Sequence, residues 1–75
     1  SKTSSVYPNP VQHFLYLKGN RLHTISEATI IDMNGRVVLH KKQPFQHSTS
    51  IDVEHLQPGV YMLKTDKESH KFIKK

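Results

Sequence analysis

Leu56-Gln57-Pro58-Gly59-Val60-Tyr61-Met62-Leu63 is the stretch that decides the fold class. Proline followed by glycine suits the two central positions of a type II turn, because proline presets a negative φ and glycine accepts a positive one. The strand that follows alternates, and Tyr61 stands two residues after the glycine, where its hydroxyl can fold back onto upstream backbone. That is the logic of a tyrosine corner, which pins the turn between two sheets of a sandwich.

Outward from this corner, apolar residues recur with period two over short runs broken by Pro, Gly and Asn, and no segment carries a helical stripe. Strands are expected near Phe14–Lys18, Ala28–Asp32, Arg36–Lys41, Ser50–Val53, Val60–Thr65 and His70–Ile73, with a short one at Val6. The reading is all-β, an antiparallel immunoglobulin-like sandwich of about seven short strands. Alternation assigns the core to Leu15, Leu17, Ile30, Val38, Ile51, Val53, Leu56, Tyr61, Leu63 and Phe72, and puts Phe14 and Tyr16 on the opposite face of their strand.

Asp32-Met33-Asn34-Gly35-Arg36 admits two hairpins. A two-residue Asn-Gly loop sets Ile30 opposite Leu39. A three-residue loop closed by Asp32 and Arg36 pairs opposite charges, sets Ile30 opposite Val38 and leaves Gly35 left-handed beside a bulge. Asp first and Gly fourth are what a type I turn prefers, which favours the three-residue form.

The chain has 75 residues, enough for one domain, and no cysteine to supplement the core with a disulfide or a thiolate metal site. A chain this short buries only about 60–65% of the surface it exposes when unfolded, which leaves little room for a catalytic cleft. Ser1-Lys2-Thr3-Ser4-Ser5 is polar and reads as a linker, with the domain proper at 6–75. No apolar run approaches the roughly 20 residues of a transmembrane helix. Eleven Lys and Arg against six Asp and Glu give a formal charge of +5, which suits solvated strand faces or an acidic partner.

Six histidines, at positions 13, 23, 40, 47, 55 and 70, have no ligand spacing, so no metal or other cofactor is expected. The serines lie mainly in the tail and in Ser48-Thr49-Ser50, where turn chemistry accounts for them, and no catalytic residue is assigned. The three glycines sit at separate turns and form no phosphate loop. Lys71, Lys74 and Lys75 share a strand with Phe72, but Phe72 belongs to the core, so a nucleic-acid stacking platform is not expected.

Val6-Tyr7-Pro8-Asn9-Pro10-Val11, Ile30-Ile31-Asp32-Met33-Asn34-Gly35-Arg36-Val37-Val38, the Pro-Gly-Val-Tyr stretch and His70-Lys71-Phe72-Ile73-Lys74-Lys75 together closely resemble the type A C-terminal sorting domain of the type IX (Por) secretion system of Bacteroidota. Their order and spacing, from Val6 to Lys75, carry the resemblance. It implies a non-enzymatic address label at the end of a larger exported protein. Such a label passes through the periplasm, meets an outer-membrane translocon and its shuttle proteins, and is commonly removed by a sortase-like cysteine protease as the cargo reaches the cell surface or medium. It also implies that Asp32, Asn34, Gly35, Arg36, Pro58, Gly59, Tyr61 and Phe72 act through folding, while Lys71, Lys74 and Lys75 are candidates for translocon recognition. The family's usual glycine is missing from Asp66-Lys67-Glu68-Ser69.

A basic terminal strand suggests edge pairing with a partner strand. The rival reading is a carbohydrate- or protein-binding module of a secreted enzyme, for which Phe14, Tyr16 and Phe45 are the aromatic candidates. A spacer domain is a further one. A sorting domain must finish its protein, and the end of the chain at Lys75 favours sorting.

Overall fold

The computed structural model describes residues 4–75. Seven strands form two antiparallel sheets: β1 (Ser4–Tyr7), β2 (Phe14–Gly19) and β5 (Ser50–Asp52) in the order β1-β2-β5, and β3 (Glu27–Asp32), β4 (Val37–Lys42), β6 (Gly59–Thr65) and β7 (Ser69–Lys74) in the order β4-β3-β6-β7. A short 3₁₀ turn, Leu22–Thr24, leads into β3. Each expected strand is present. Of the expected linker, Ser4 and Ser5 already pair with Gly19 and Lys18 in β1.

The core lies between the sheets. Leu15, Leu17 and Ile51 enter from the three-stranded sheet, and Ala28, Ile30, Tyr61, Leu63 and Phe72 from the other, as period-two strands with one buried face dictate. Val11, Ile25 and Phe45 are also buried, and they come from connections that carry no period. Phe45, expected to be an exposed aromatic, is 4% exposed and closes one part of the core.

The hairpin between β3 and β4 takes the three-residue form. The Asp32 N–H donates to the Arg36 carbonyl and the Gly35 N–H to the Asp32 carbonyl, both at 3.0 Å. Gly35 has φ +81°, a left-handed conformation that glycine adopts without steric cost, and open space surrounds it, so the backbone alone demands glycine there. The expected register is nevertheless wrong by one: Ile31 faces Val37, but Ile30 faces Leu39. A second irregularity falls between Ile30 and Ile31, so Val38 is the extra residue of a bulge. Adjacent Val38 and Leu39 are accordingly both half-buried against the core.

The Pro58-Gly59 turn also departs from expectation. Gly59 has φ +156° and pairs with Lys74 as the first residue of β6, so the sheet ladder holds it extended and no type II turn forms. The hydrogen-bonded turn lies upstream, where the Leu56 N–H donates to the Val53 carbonyl at 3.0 Å. The corner itself is present: the Tyr61 hydroxyl donates to the Gln57 carbonyl at 2.6 Å. In the last hairpin the absent glycine is replaced by Thr65, whose Oγ1 accepts the N–H groups of Lys67 and Glu68 at 3.1 and 3.0 Å.

Candidate recognition surface

Alternation along β7 sorts its side chains. His70, Phe72 and Lys74 face inward and are buried, whereas Lys71, Ile73 and Lys75 face solvent. The three candidate lysines are therefore not equivalent. Lys74 is 7% exposed, with its Nζ donating to the Lys75 carbonyl at 3.1 Å. Its stem covers the end of the core while its ammonium reaches the rim, as long basic side chains allow. Lys71 and Lys75 present their charge outward.

β7 is an edge strand, but its edge is largely occupied. The Ile73 N–H donates to Asn9 Oδ1, the Val11 N–H donates to the Ile73 carbonyl, and the Lys75 N–H donates to the Val11 carbonyl, each at 2.8 Å. A strap comprising Asn9, Pro10 and Val11 thus runs parallel to the strand end, with Val11 fully buried beneath it. At the other end the Ser4 hydroxyl donates to Glu68 Oε1 at 2.6 Å and lies 2.9 Å from His70 Nε2. A Ser, His and Glu together invite comparison with a nucleophilic triad. Here the carboxylate lies 3.3 Å from the same ring nitrogen that meets the serine, and the serine hydroxyl donates to the carboxylate, so the group lacks the relay order of a triad and clasps β1 to the start of β7. Edge pairing at the strand end would have to displace the strap.

The outer face of the four-stranded sheet is more open. Cross-strand register places Val37, Ile31, Met62 and Lys71 in one row and Val60 beside Ile73 in the next. Met33, at the hairpin tip, is 72% exposed. A shallow cavity of about 330 Å³ opens there, walled by Ile31, Met33, Val60, Met62 and Lys71. Asp32 also borders it, but its carboxylate accepts the N–H groups of Asn34 and Arg36 and the Arg36 Nε at 2.9, 3.0 and 3.0 Å. These bonds, the Arg36 backbone N–H first, hold the Asp32 carboxyl below its usual range despite some desolvation. The other acid on this face, Glu27, lies 2.9 Å from His40 Nε2. Among the described residues Lys64 and Lys71 on this face have no ion-pair partner.

A family model for secretion-system C-terminal sorting domains matches residues 5–75. The chain belongs to that family. It is a type IX sorting domain, and the family is one of signals, not of enzymes. No curated protein and no solved structure matches the chain.

On the opposite side of the sorting domain, the outer face of the three-stranded sheet is aromatic. Tyr7 and Tyr16 stack with centroids 5.5 Å apart, and His13 stacks on Phe14 at 4.0 Å. His13 Nε2 also lies 3.8 Å from Asp52 and 3.4 Å from Glu54. These three exposed side chains place donor atoms within 4.8 Å of one another, an arrangement that separations of 39 and more residues hide from sequence spacing. Asp52 already accepts the Glu54 N–H at 3.0 Å, and the two carboxylates flank the imidazole. Among the described residues no helix is long and apolar enough to cross a membrane.

Proposed function

We propose that this sorting domain directs a larger cargo through the periplasm to the type IX outer-membrane translocon and its shuttle proteins, and that a sortase-like cysteine protease removes it at the cell surface. The observation that carries the reading is the family match across residues 5–75. The fold supports it: turn, corner and core residues are spent on structure, while Lys71 and Lys75 stand exposed on the terminal strand. Lys71 and Lys75 steer the encounter by charge. Lys74 contributes by completing the fold.

The test is export of a fluorescent reporter carrying an inner-membrane signal peptide and this domain at its C-terminus, in a type IX-competent cell. Surface delivery that depends on the domain, followed by loss of the domain from the mature reporter, is the expected result. Deleting Lys74 and Lys75 together would confound recognition with folding, because Lys75 donates to Val11 and Lys74 is buried. Lys75→Ala is the cleaner variant. Retention of the intact fusion in the periplasm would favour the rival reading as a glycan-binding module, for which the stacked Tyr7 and Tyr16 are the platform, and polysaccharide pull-down would follow.

A further inference from the structure

We infer that the outer face of the four-stranded sheet, centred on the cavity between the β3–β4 hairpin tip and β6, is the surface the export machinery docks on, and that the docking element is a protein segment offering an apolar side chain with a carboxylate beside it. The inference rests on the sorting reading and adds to it the surface and the partner's chemistry.

Three features of this face point the same way. Its centre is apolar although it faces solvent: Met33, Val37 and Ile73 are exposed and Ile31, Val60 and Met62 half-buried, in contiguous cross-strand positions. Contiguous exposed apolar groups with a polar rim mark interaction sites more than scattered ones do. Two methionines wall the cavity, and flexible thioethers let a site adapt to the apolar side chain it receives.

The charge is one-sided. Lys71 forms part of the cavity wall and has no ion-pair partner among the described residues, while Asp32, the one acid bordering the cavity, is committed to Arg36 and to backbone N–H groups. A carboxylate entering beside the apolar anchor would meet an available ammonium and no competing acid. An approaching base would meet the Lys71 ammonium, while the one carboxylate at the cavity is already engaged by Arg36. The free edges fit worse: β4 carries a bulge and ends in Lys41 and Lys42, which discourages strand addition, and the end of β7 is held by the strap.

The experiment compares surface delivery of the reporter fusion carrying the parent domain, Met33→Ser, Lys71→Glu and Lys18→Glu, with thermal melting of each domain. Lys18 lies exposed on β2 of the other sheet and makes the same charge change elsewhere. Delivery should fall about tenfold or more for Lys71→Glu and several-fold for Met33→Ser at unchanged melting temperature, with Lys18→Glu delivered like the parent. Parent-level delivery of both face variants would overturn the inference and leave the sorting reading standing. Equal losses for Lys71→Glu and Lys18→Glu would reduce the effect to net charge and overturn it also. A failure of the parent itself to be delivered would remove the sorting reading and this inference with it. Unchanged delivery accompanied by loss of solution dimers in Met33→Ser, or of binding to anionic phospholipid vesicles in Lys71→Glu, would assign the face to a second copy or to lipid instead.

Discussion

The two outer faces of the sandwich expose the same number of large apolar side chains, Tyr7, Phe14 and Tyr16 on one and Met33, Val37 and Ile73 on the other, yet they leave them in different states. On the three-stranded face the rings are spent on one another, Tyr7 on Tyr16 and His13 on Phe14, and the nearby acids flank His13. On the four-stranded face the aliphatic and thioether groups surround an open cavity beside Lys71, which has no ion-pair partner among the described residues. Exposed apolar area alone does not identify a binding surface. What separates the two faces is whether neighbours already satisfy the exposed groups.

The strongest way to break the comparison is to remove what both faces stand on. Phe72 is fully buried and stacks on Tyr61 with centroids 5.7 Å apart. Phe72→Ala should cost about 3–5 kcal/mol, a large part of the stability of so small a domain, and denaturant titration should show the fold lost or barely held. Export should then vanish although no residue of either outer face is substituted. A Phe72→Ala domain that melts like the parent would mean the sheets do not depend on this ring.

Smaller effects come from single long-range hydrogen bonds. Tyr61→Phe removes the bond to Gln57 and Asn9→Ala the bond to the Ile73 N–H, and each should cost about 0.5–1.5 kcal/mol with the fold retained. Hydrogen exchange separates them. Asn9→Ala should speed exchange at Ile73 and leave the β6 amides protected, whereas Tyr61→Phe should loosen the corner. Should Ile73 exchange at the parent rate in Asn9→Ala, the strap is not what seals the terminal edge.

The comparison sharpens with one substitution on each face. Tyr16→Thr keeps a strand-forming residue but removes the stack on Tyr7, and should cost about 0.5–1 kcal/mol. Ile73→Thr, on a side chain 43% exposed and stacked on nothing, should stay within about 0.5 kcal/mol. The aromatic face then contributes to folding and the aliphatic face is free to serve a partner. Equal losses at the two sites would erase that distinction.

How much of this was legible in the sequence depended on range. Period two placed all seven strands and most of the core, because a half-buried strand must alternate. Val11, Ile25 and Phe45 were missed since their burial comes from connections that fold over the core, with no period to announce it. Lys74 shares the parity of Phe72, which places it inward, but its charge drew it into the set of recognition candidates. The bulge at Val38 left only a hint in three consecutive apolar residues, and the strap left less: Asn9 and Ile73 are 64 positions apart. Pro58-Gly59 misled for a related reason, as pairing with Lys74 overrode the turn preference of the dipeptide. The candidate lysines were legible as a group, and only register told which of them face outward.

The smallest effect expected is acid sensitivity at the ends of β3, the strand that joins the aliphatic face to the core. Asp66 Oδ1 accepts the N–H groups of Ser26 and Glu27 at 3.0 and 3.4 Å, tying the start of β3 to the last hairpin, while Asp32 builds the turn at its other end. Desolvation pushes the Asp66 carboxyl up, but its own backbone N–H and those of Glu27 and Ser26 together outweigh it, so both carboxyls titrate below their usual value. A carboxyl depressed in the folded state contributes stability that is complete above the unfolded pKa of about 3.9 and is lost as pH falls through the lower folded value. The melting temperature should therefore hold from neutral pH to about 4 and decline below it. Asp66→Asn should lower the plateau slightly and flatten that decline, since the group that titrates is gone. A decline of the same slope in Asp66→Asn and in Asp32→Asn would place the acid-sensitive groups elsewhere and detach the hairpin ends from the stability of the face between them.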